Sequence, residues 1–292
     1  AFWKSLGIEN IGIAPVEIYK DFESIYAKQI ERGHICGFEE KNIEKRINPY
    51  LTLEDAKSII VCLFPYYSGS KEGSNIAKYA YSIDYHIIVK RFLEIIAGYL
   101  QDRIDGFHYK TFVDIGPLSD RYIAYKAGLG FLGINNHIIT DRYGSYFFIG
   151  YIINNYHFKP DVPQNRTCIQ CFECVKACPG QCISVDFTIN PLRCKSFITQ
   201  KKGQLSDSEI TILKKNNLIW GCDVCQDICP HNKNIEKTNI KEFKENLIYS
   251  IQYDELKQMT NKEFIEKYGN RAFSWRGKGI LLRNYEIIND LK

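Results

Sequence analysis

The chain has 292 residues, 45% of them apolar and 25% charged, and a net charge of +4. That is the composition of a globular protein with ample core for one large domain or two ordinary ones. No apolar run approaches the roughly eighteen residues that cross a bilayer, and no secretory signal opens the chain, which argues against membrane spanning and export. Ala1 in place of an initiator Met reads as removal of one or more leading residues. The mild positive charge permits a polyanionic partner without demanding one.

In chain order, residues 1 to about 50 read as helical and polar, with Glu39, Glu40, Lys41, Glu44, Lys45 and Arg46 ahead of the stop at Asn48-Pro49. Ala56 to Phe64 is a short apolar run, β-branched in its middle and bounded by Pro65, hence a buried strand with Cys62 as a packed thiol. Tyr85 to Leu100 carries Ile88, Phe92, Ile95, Ile96 and Tyr99 at helical spacing. Lys110 to Asp114 is a strand ending in a carboxylate, and Pro117 and Ser119 start a helix to about Ala127. Ile138–Thr140 and Ser145–Ile153 read as two strands joined by the Asp141–Gly144 turn. Gly128, Gly130 and Gly133 fit the dinucleotide fingerprint, but they follow a predicted helix where that motif must follow a strand, so Gly128 reads as a helix cap. The strands and helices predict an α/β domain over 1–160, with Pro160 and Pro163 marking a linker. A cysteine-rich domain follows over 161–234, and a polar helical tail without a core of its own over 235–292.

Eleven cysteines are present, and nine fall between Cys168 and Cys229. An odd number without a secretory signal disfavours disulfides and suits thiolate ligands in a reducing cytoplasm. Cys168, Cys171, Cys174 and Cys178-Pro179 follow the C-x2-C-x2-C-x3-C-P spacing of a bacterial ferredoxin. Cys194, then Cys222, Cys225 and Cys229-Pro230, form a broken second copy. In two-cluster ferredoxins the fourth cysteine of each run ligates the other cluster. That rule gives Cys168, Cys171, Cys174 and Cys229 to one 4Fe-4S cluster and Cys178, Cys194, Cys222 and Cys225 to the other. Cys182 and Cys36 read as ordinary thiols. Zinc is the rival metal, because C-x2-C pairs are also zinc-finger spacing.

About 160 residues precede the cysteines, so the electrons have a destination beyond a simple carrier. Val113-Asp114-Ile-Gly-Pro117-Leu-Ser-Asp120-Arg121, Ala127-Gly128-Leu-Gly130-Phe-Leu-Gly133-Ile-Asn135 and Gly144-Ser145-Tyr-Phe-Phe-Ile-Gly150 stand in succession. With Tyr79-Ala80, Asp84-Tyr85-His86 and Gly221-Cys222-Asp223-Val-Cys225-Gln226, they resemble the motifs of the epoxyqueuosine reductase family over roughly residues 1–285. The resemblance implies an α+β fold: a nitroreductase-like cobalamin-binding domain, as in reductive dehalogenases, followed by a ferredoxin-like two-cluster domain and a short helical tail. It implies a cytoplasmic, monomeric oxidoreductase that reduces epoxyqueuosine at the tRNA wobble position to queuosine. Two 4Fe-4S clusters, base-off cobalamin and an external low-potential electron donor would serve it, with the anticodon stem-loop as partner.

Carried over by position, Asp114 matches the family's catalytic acid, a role that needs burial to raise its pKa. Arg46, Asp84, His86, Asn135, Ser145, Ser196 and Asp223 match the lining of the corrinoid pocket. The chain departs from the family at Ile134, where a Lys is usual, and it lacks the C-terminal helical-repeat domain of many members. Tyr268 to Arg283 holds four cations, no carboxylate, Phe273 and Trp275, a composition suited to RNA. The alternatives are a paralogous reductase of a free small molecule and a non-catalytic, ferredoxin-like electron carrier.

Overall fold

The computed structural model describes residues 2–8 and 10–291. The chain opens with α1 (Phe2–Ser5), β1 (Asn10–Pro15), α2 (Lys20–Glu31), α3 (Ile43–Ile47), β2 (Ser58–Pro65) and α4 (Tyr85–Gln101). Next come β3 (Tyr109–Val113), α5 (Asp120–Lys126), β4 (Phe131–Leu132), β5 (Ile138–Ile139) and β6 (Phe147–Asn154). The cysteine region carries α6 (Glu173–Ala177), α7 (Lys195–Ile198), α8 (Asp207–Leu213) and α9 (Val224–Asp227), and the tail α10 (Tyr253–Gln258), α11 (Asn261–Tyr268) and α12 (Lys278–Ile288). No described helix is long and apolar enough to cross a membrane.

Four strands form one antiparallel sheet in the order β1-β2-β6-β3. Every residue of β2 is buried. Its odd positions, Ile59, Val61 and Leu63, pack with α2 and α5, while Ile60, Cys62 and Phe64 pack with α4. A strand covered on both faces reads as a continuous apolar run, which is why it was legible. Cys62 is fully buried in that core.

The N-terminal segment is not wholly helical as its polarity suggested. Asn10–Pro15 forms an edge strand, with Pro15 at its end where a missing donor is tolerated. Gly12 is required there, because a Cβ would lie 2.3 Å from the Ala127 carbonyl at the end of α5. The open edge of β1 is covered by the linker: Ile13 N donates to Asp161 Oδ2, and Asp161 N donates to the Ile13 carbonyl. The expected Ile138–Ile153 hairpin is also corrected. Only a Thr140–Gly144 bridge joins its arms, β5 pairs with β4, and β6 crosses into the main sheet between β2 and β3. Gly128 does cap α5, at φ 67°.

The tail has a core, contrary to the reading of its sequence, but it shares that core with distant segments. Leu256, Phe264, Tyr268, Phe273 and Leu281 pack on Ile76, Ala80, Tyr81, Ile219 and Trp220. Asn75 exchanges hydrogen bonds with Ile251, and buried Asn284 donates to the carbonyls of Thr199 and Ile219. Replacing Phe264, 1% exposed, with Ala should cost about 3–5 kcal/mol. Calorimetry would read a lower Tm, and limited proteolysis would cut first in the tail.

Candidate active site and thiol centres

The cysteine segments meet where α6 packs against α9. Gln170 and Phe172 sit at φ 52° and 59°, wrapping the chain tightly around the thiols. Cys168, Cys171, Cys174 and Cys229 face one cavity, walled by Ile134, Ile139 and His231. Cys229 therefore crosses from the second run to the first. Ile134 is 1% exposed and belongs to the apolar shell of the thiols, which accounts for an apolar residue there.

The remaining thiols gather separately. Burial lifts Cys225 well above the ordinary thiol range, and the charges of Cys194, Cys222 and Cys178 add to it. Among the described residues no three His, Cys, Asp or Glu groups stand at the spacing of a single metal ion; the thiols converge more loosely, in two groups of four. Cys182 is closer to this second group than an unremarkable thiol on the next turn would be. Its Sγ lies 3.3 Å from Cys178 Sγ. Hydrogen bonding by Cys182 holds Cys178 down at about 6 and Cys194 at about 7.

A second centre lies at the end of β3. Asp114 sits at φ 58°, a conformation costing on the order of 1 kcal/mol for a residue with a side chain. Asp84 caps α4, accepting from His86 N, and its Oδ1 also lies 2.8 Å from His86 Nδ1. That cap aims the imidazole, whose Nε2 stands 3.6 Å from Asp114 Oδ2. The Tyr85 hydroxyl donates to the same oxygen at 2.5 Å.

Burial works against a charged His86, but the facing carboxylates of Asp114 and Asp84 outweigh it and lift the imidazole to about 9. For Asp114 the expectation of a raised pKa is overturned. Burial pushes the carboxyl up, yet the nearby His86 imidazole and the hydrogen bond from Tyr85 outweigh it and hold it below the ordinary value. The acidic proton of the pair resides on His86. The Asp114 carboxyl is 58% exposed, within reach of an incoming group.

Behind the Asp114 turn, Arg46 donates to the carbonyls of Pro117 and Leu118. Burial and the nearby Asp114 charge push Asp120 well above the ordinary carboxylate range, against the pull of Arg46 and Arg121. Burial and Arg46 together lower Arg121. The sequence motifs contained Tyr85, Asp120 and Arg121 without marking them as functional. Their significance comes from convergence on Asp114.

Asn135, Ser145 and Asp223 stand on the thiol side. Asn135 donates to the Cys225 carbonyl. The Ser145 hydroxyl is taken by Asn232 and Gln226, so it braces the wall. Burial pushes Asp223 up to about 6 against the pull of Lys78. Ser196 is set apart, and its carbonyl closes α7 by accepting from Thr199 and Gln200. Two residues join the centres. Tyr79 feels the charges of Asp223, Asp114 and Asp84. His137 lies 3.9 Å from Cys225 Sγ and feels Arg121. Tyr79 stands in one of the family-like motifs with no role assigned to it, and His137 carries no sequence signal.

Arg46 Nε, His86 Nε2, Asp120 Oδ1 and Asp223 Oδ1 are buried without a hydrogen-bond partner. Each such atom costs about 1–3 kcal/mol, and a polar ligand that reached these four would offset that cost. Much of the basic stretch of the tail is spent on structure. Phe273 is wholly buried, and Arg271, Lys278 and Arg283 donate to backbone carbonyls. Trp275 and Arg276 remain at the surface.

Residues 46–115 match the family model described as epoxyqueuosine reductase QueG, DUF1730, and residues 167–232 match a 4Fe-4S double cluster binding domain. The epoxyqueuosine reductase of Bacillus anthracis is 35% identical over 97% of this chain and 77% of its own length. A solved epoxyqueuosine reductase holding an epoxyqueuosine-modified stem loop of tyrosine tRNA is 34% identical, with a TM-score of 0.92 over 99% of this chain and 79% of that one. The Bacillus subtilis epoxyqueuosine reductase, solved with its aspartate-bearing catalytic loop swung out of the active site, is 32% identical, with a TM-score of 0.88 over 99% and 79%. Replacement of Cys194 with Ser should remove about half of the bound iron, whereas Cys182→Ser should leave iron content unchanged. Metal analysis of anaerobically purified protein checks both.

Proposed function

We propose, because the chain belongs to the epoxyqueuosine reductase family, that it removes the epoxide oxygen of epoxyqueuosine at the wobble position of tRNA. The product is the cyclopentene of queuosine. The reaction consumes two electrons and two protons and releases the oxygen as water. One observation carries the site assignment: Asp114 stands between Tyr85, whose hydroxyl donates to it, and His86, 3.6 Å away, on a strained turn at the end of β3.

The two groups of four thiols fit the ligand sets of two 4Fe-4S clusters, Cys168, Cys171, Cys174 and Cys229 for one and Cys178, Cys194, Cys222 and Cys225 for the other. Bound there, the clusters supply electrons one at a time. The unpartnered polar atoms of Arg46, His86 and Asp223 fit a polar macrocycle, and Asp84, Asn135, Ser145 and Ser196 complete the set assigned to it. Cobalamin, were it bound there, would supply a cobalt centre capable of two-electron chemistry. Residues 1–160 thus bind the reacting groups, residues 161–234 deliver electrons from an external low-potential donor, and residues 235–292 buttress both. A tRNA substrate and thiols that must stay reduced support a cytoplasmic location.

The protein's own part is proton management. Asp84 fixes the imidazole of His86, and His86 keeps its proton at neutral pH. The ionised Asp114 acts as a relay: it takes the proton that His86 gives up and passes it to the departing oxygen, and His86 regains a proton from solvent. Tyr85 stays a phenol, because burial and the Asp114 charge push it well up, so its hydroxyl orients the carboxylate. Proton donation of this kind is worth roughly 10²–10⁴ in rate. Asp114→Asn should lower single-turnover conversion of epoxyqueuosine-bearing tRNA by about that factor while leaving iron content intact; an unchanged rate would remove Asp114 from the mechanism.

The pH dependence follows from the raised imidazole. Its proton is retained at neutral pH and lost as pH rises through about 9. The conversion rate should therefore fall above about pH 9, and His86→Gln should lower the rate and abolish that limb in a stopped-time assay across pH.

A further inference from the structure

A cleft of about 620 Å³ runs beside the Asp114 turn, between the segment from Phe38 to Lys45 and the segment from Lys110 to Pro117. That volume lies within the ~300–1,000 Å³ of small-ligand sites. Phe38, Phe112 and Ile115 give it an apolar floor, and Lys41, Lys45 and Lys110 line it with charge. Ile115, next to Asp114 in the chain, is 80% exposed. Glu39 and Glu40 also line the cleft, but both are engaged locally: Glu39 accepts from the Cys36 amide and thiol, and Glu40 accepts from Asn42 N. Lys110 is tethered to the Thr52 carbonyl, which leaves Lys41 and Lys45 as the cations best placed for an incoming anion.

The cleft continues onto an aromatic ridge. Phe38 meets Trp275 edge to face at 5.8 Å between centroids. The Arg276 guanidinium lies 3.7 Å over Trp275 and 5.4 Å from the Phe38 centroid. Trp275 is 53% exposed and Phe38 43%. The ridge is anchored from beneath, where Trp275 Nε1 donates to Gln200 and Phe38 packs on Phe197. Two aromatic rings and a guanidinium plane, half exposed yet held in place, are costly to leave in water and suit the flat faces of unpaired bases.

We propose that Phe38, Trp275 and Arg276, with the lysine-lined cleft beside Asp114, seat the unpaired nucleotides that flank the reacting nucleoside. This rests on the reading that the substrate is RNA. The bases stack on the ridge, Lys41 and Lys45 meet the phosphates, and the reacting nucleoside is directed past Ile115 towards Asp114. Single-stranded RNA is recognised by such a combination of stacking planes and backbone charge, and a double-stranded stem, whose bases are already stacked, gains nothing from it.

The test uses the iron-loaded protein and a fluorescent RNA hairpin carrying queuosine at its wobble position, so that binding is read without turnover. Phe38→Ala and Trp275→Ala should each weaken binding on the order of tenfold, less than multiplicatively in combination because the rings touch. Arg276→Lys should weaken binding although the charge is kept. Lys41→Gln with Lys45→Gln should reduce the slope of log Kd against log salt by about 0.7 per lost phosphate contact. None of these changes should affect binding of a blunt duplex of the same stem. Should Trp275→Ala lose iron or fold, the surface variants at Lys41, Lys45 and Arg276 decide the matter. Unchanged affinity and slope in variants of a protein that binds the hairpin would overturn this surface. Equal loss on hairpin and duplex would overturn the stacking role. Failure of the unaltered protein to bind any hairpin while it reduces the free nucleoside would instead overturn the RNA reading beneath it.

Discussion

The arrangement depends on one ion group with a buried pair at its heart. Lys78, 8% exposed, stands 3.5 Å from buried Asp223, to which its backbone N–H donates, and reaches half-exposed Asp227 at 2.7 Å. Tyr146, at the start of β6, donates to Asp227 as well. The group ties the last cysteine run to the segment leading into α4, which bears Asp84, Tyr85 and His86. Removing one partner of a buried pair typically costs 3–5 kcal/mol, because the other charge is stranded. The thiols and the proton-handling residues are thus held in register by charge, and Gly144 permits the same joint on its other side: a Cβ there would fall 1.9 Å from Asn232 Oδ1.

Much of this was legible in the sequence, and the exceptions share a cause. Strand β2, helix α4 and the cysteine spacing each carry a complete local signal. Strand β1 is six residues containing Gly12 and Pro15, and its alternation is too short to stand out from the helical segments around it. The tail defeats periodicity differently: α10, α11 and α12 each lend only one or two residues to a core completed by Ile76 and Trp220. A core assembled across 200 residues of sequence leaves no pattern in any one window. The position of Asp114 was legible, but its protonation was not, because that depends on two groups from another helix.

The charge pattern around Asp114 divides labour between two carboxyls. Asp114 is held low beside His86, while Asp120, six positions on, is pushed well up because burial and the Asp114 charge both oppose its ionisation. Environment, not residue type, separates them. Arg46 contributes at one remove: it braces the carbonyls of Pro117 and Leu118, and so holds in place the turn on which Asp114 is strained.

The contact between Asp161 and Ile13 has a consequence for the fate of damaged protein. The linker that leads from the sheet into the first cysteine run also seals the open edge of β1. An uncovered edge strand is a template for pairing with other chains. Oxidative loss of the metal centres would loosen the anchor of that linker and bare the strand. Exposure to air would then show itself as insolubility as well as inactivity, and recovery by rebuilding the centres would have to outpace aggregation.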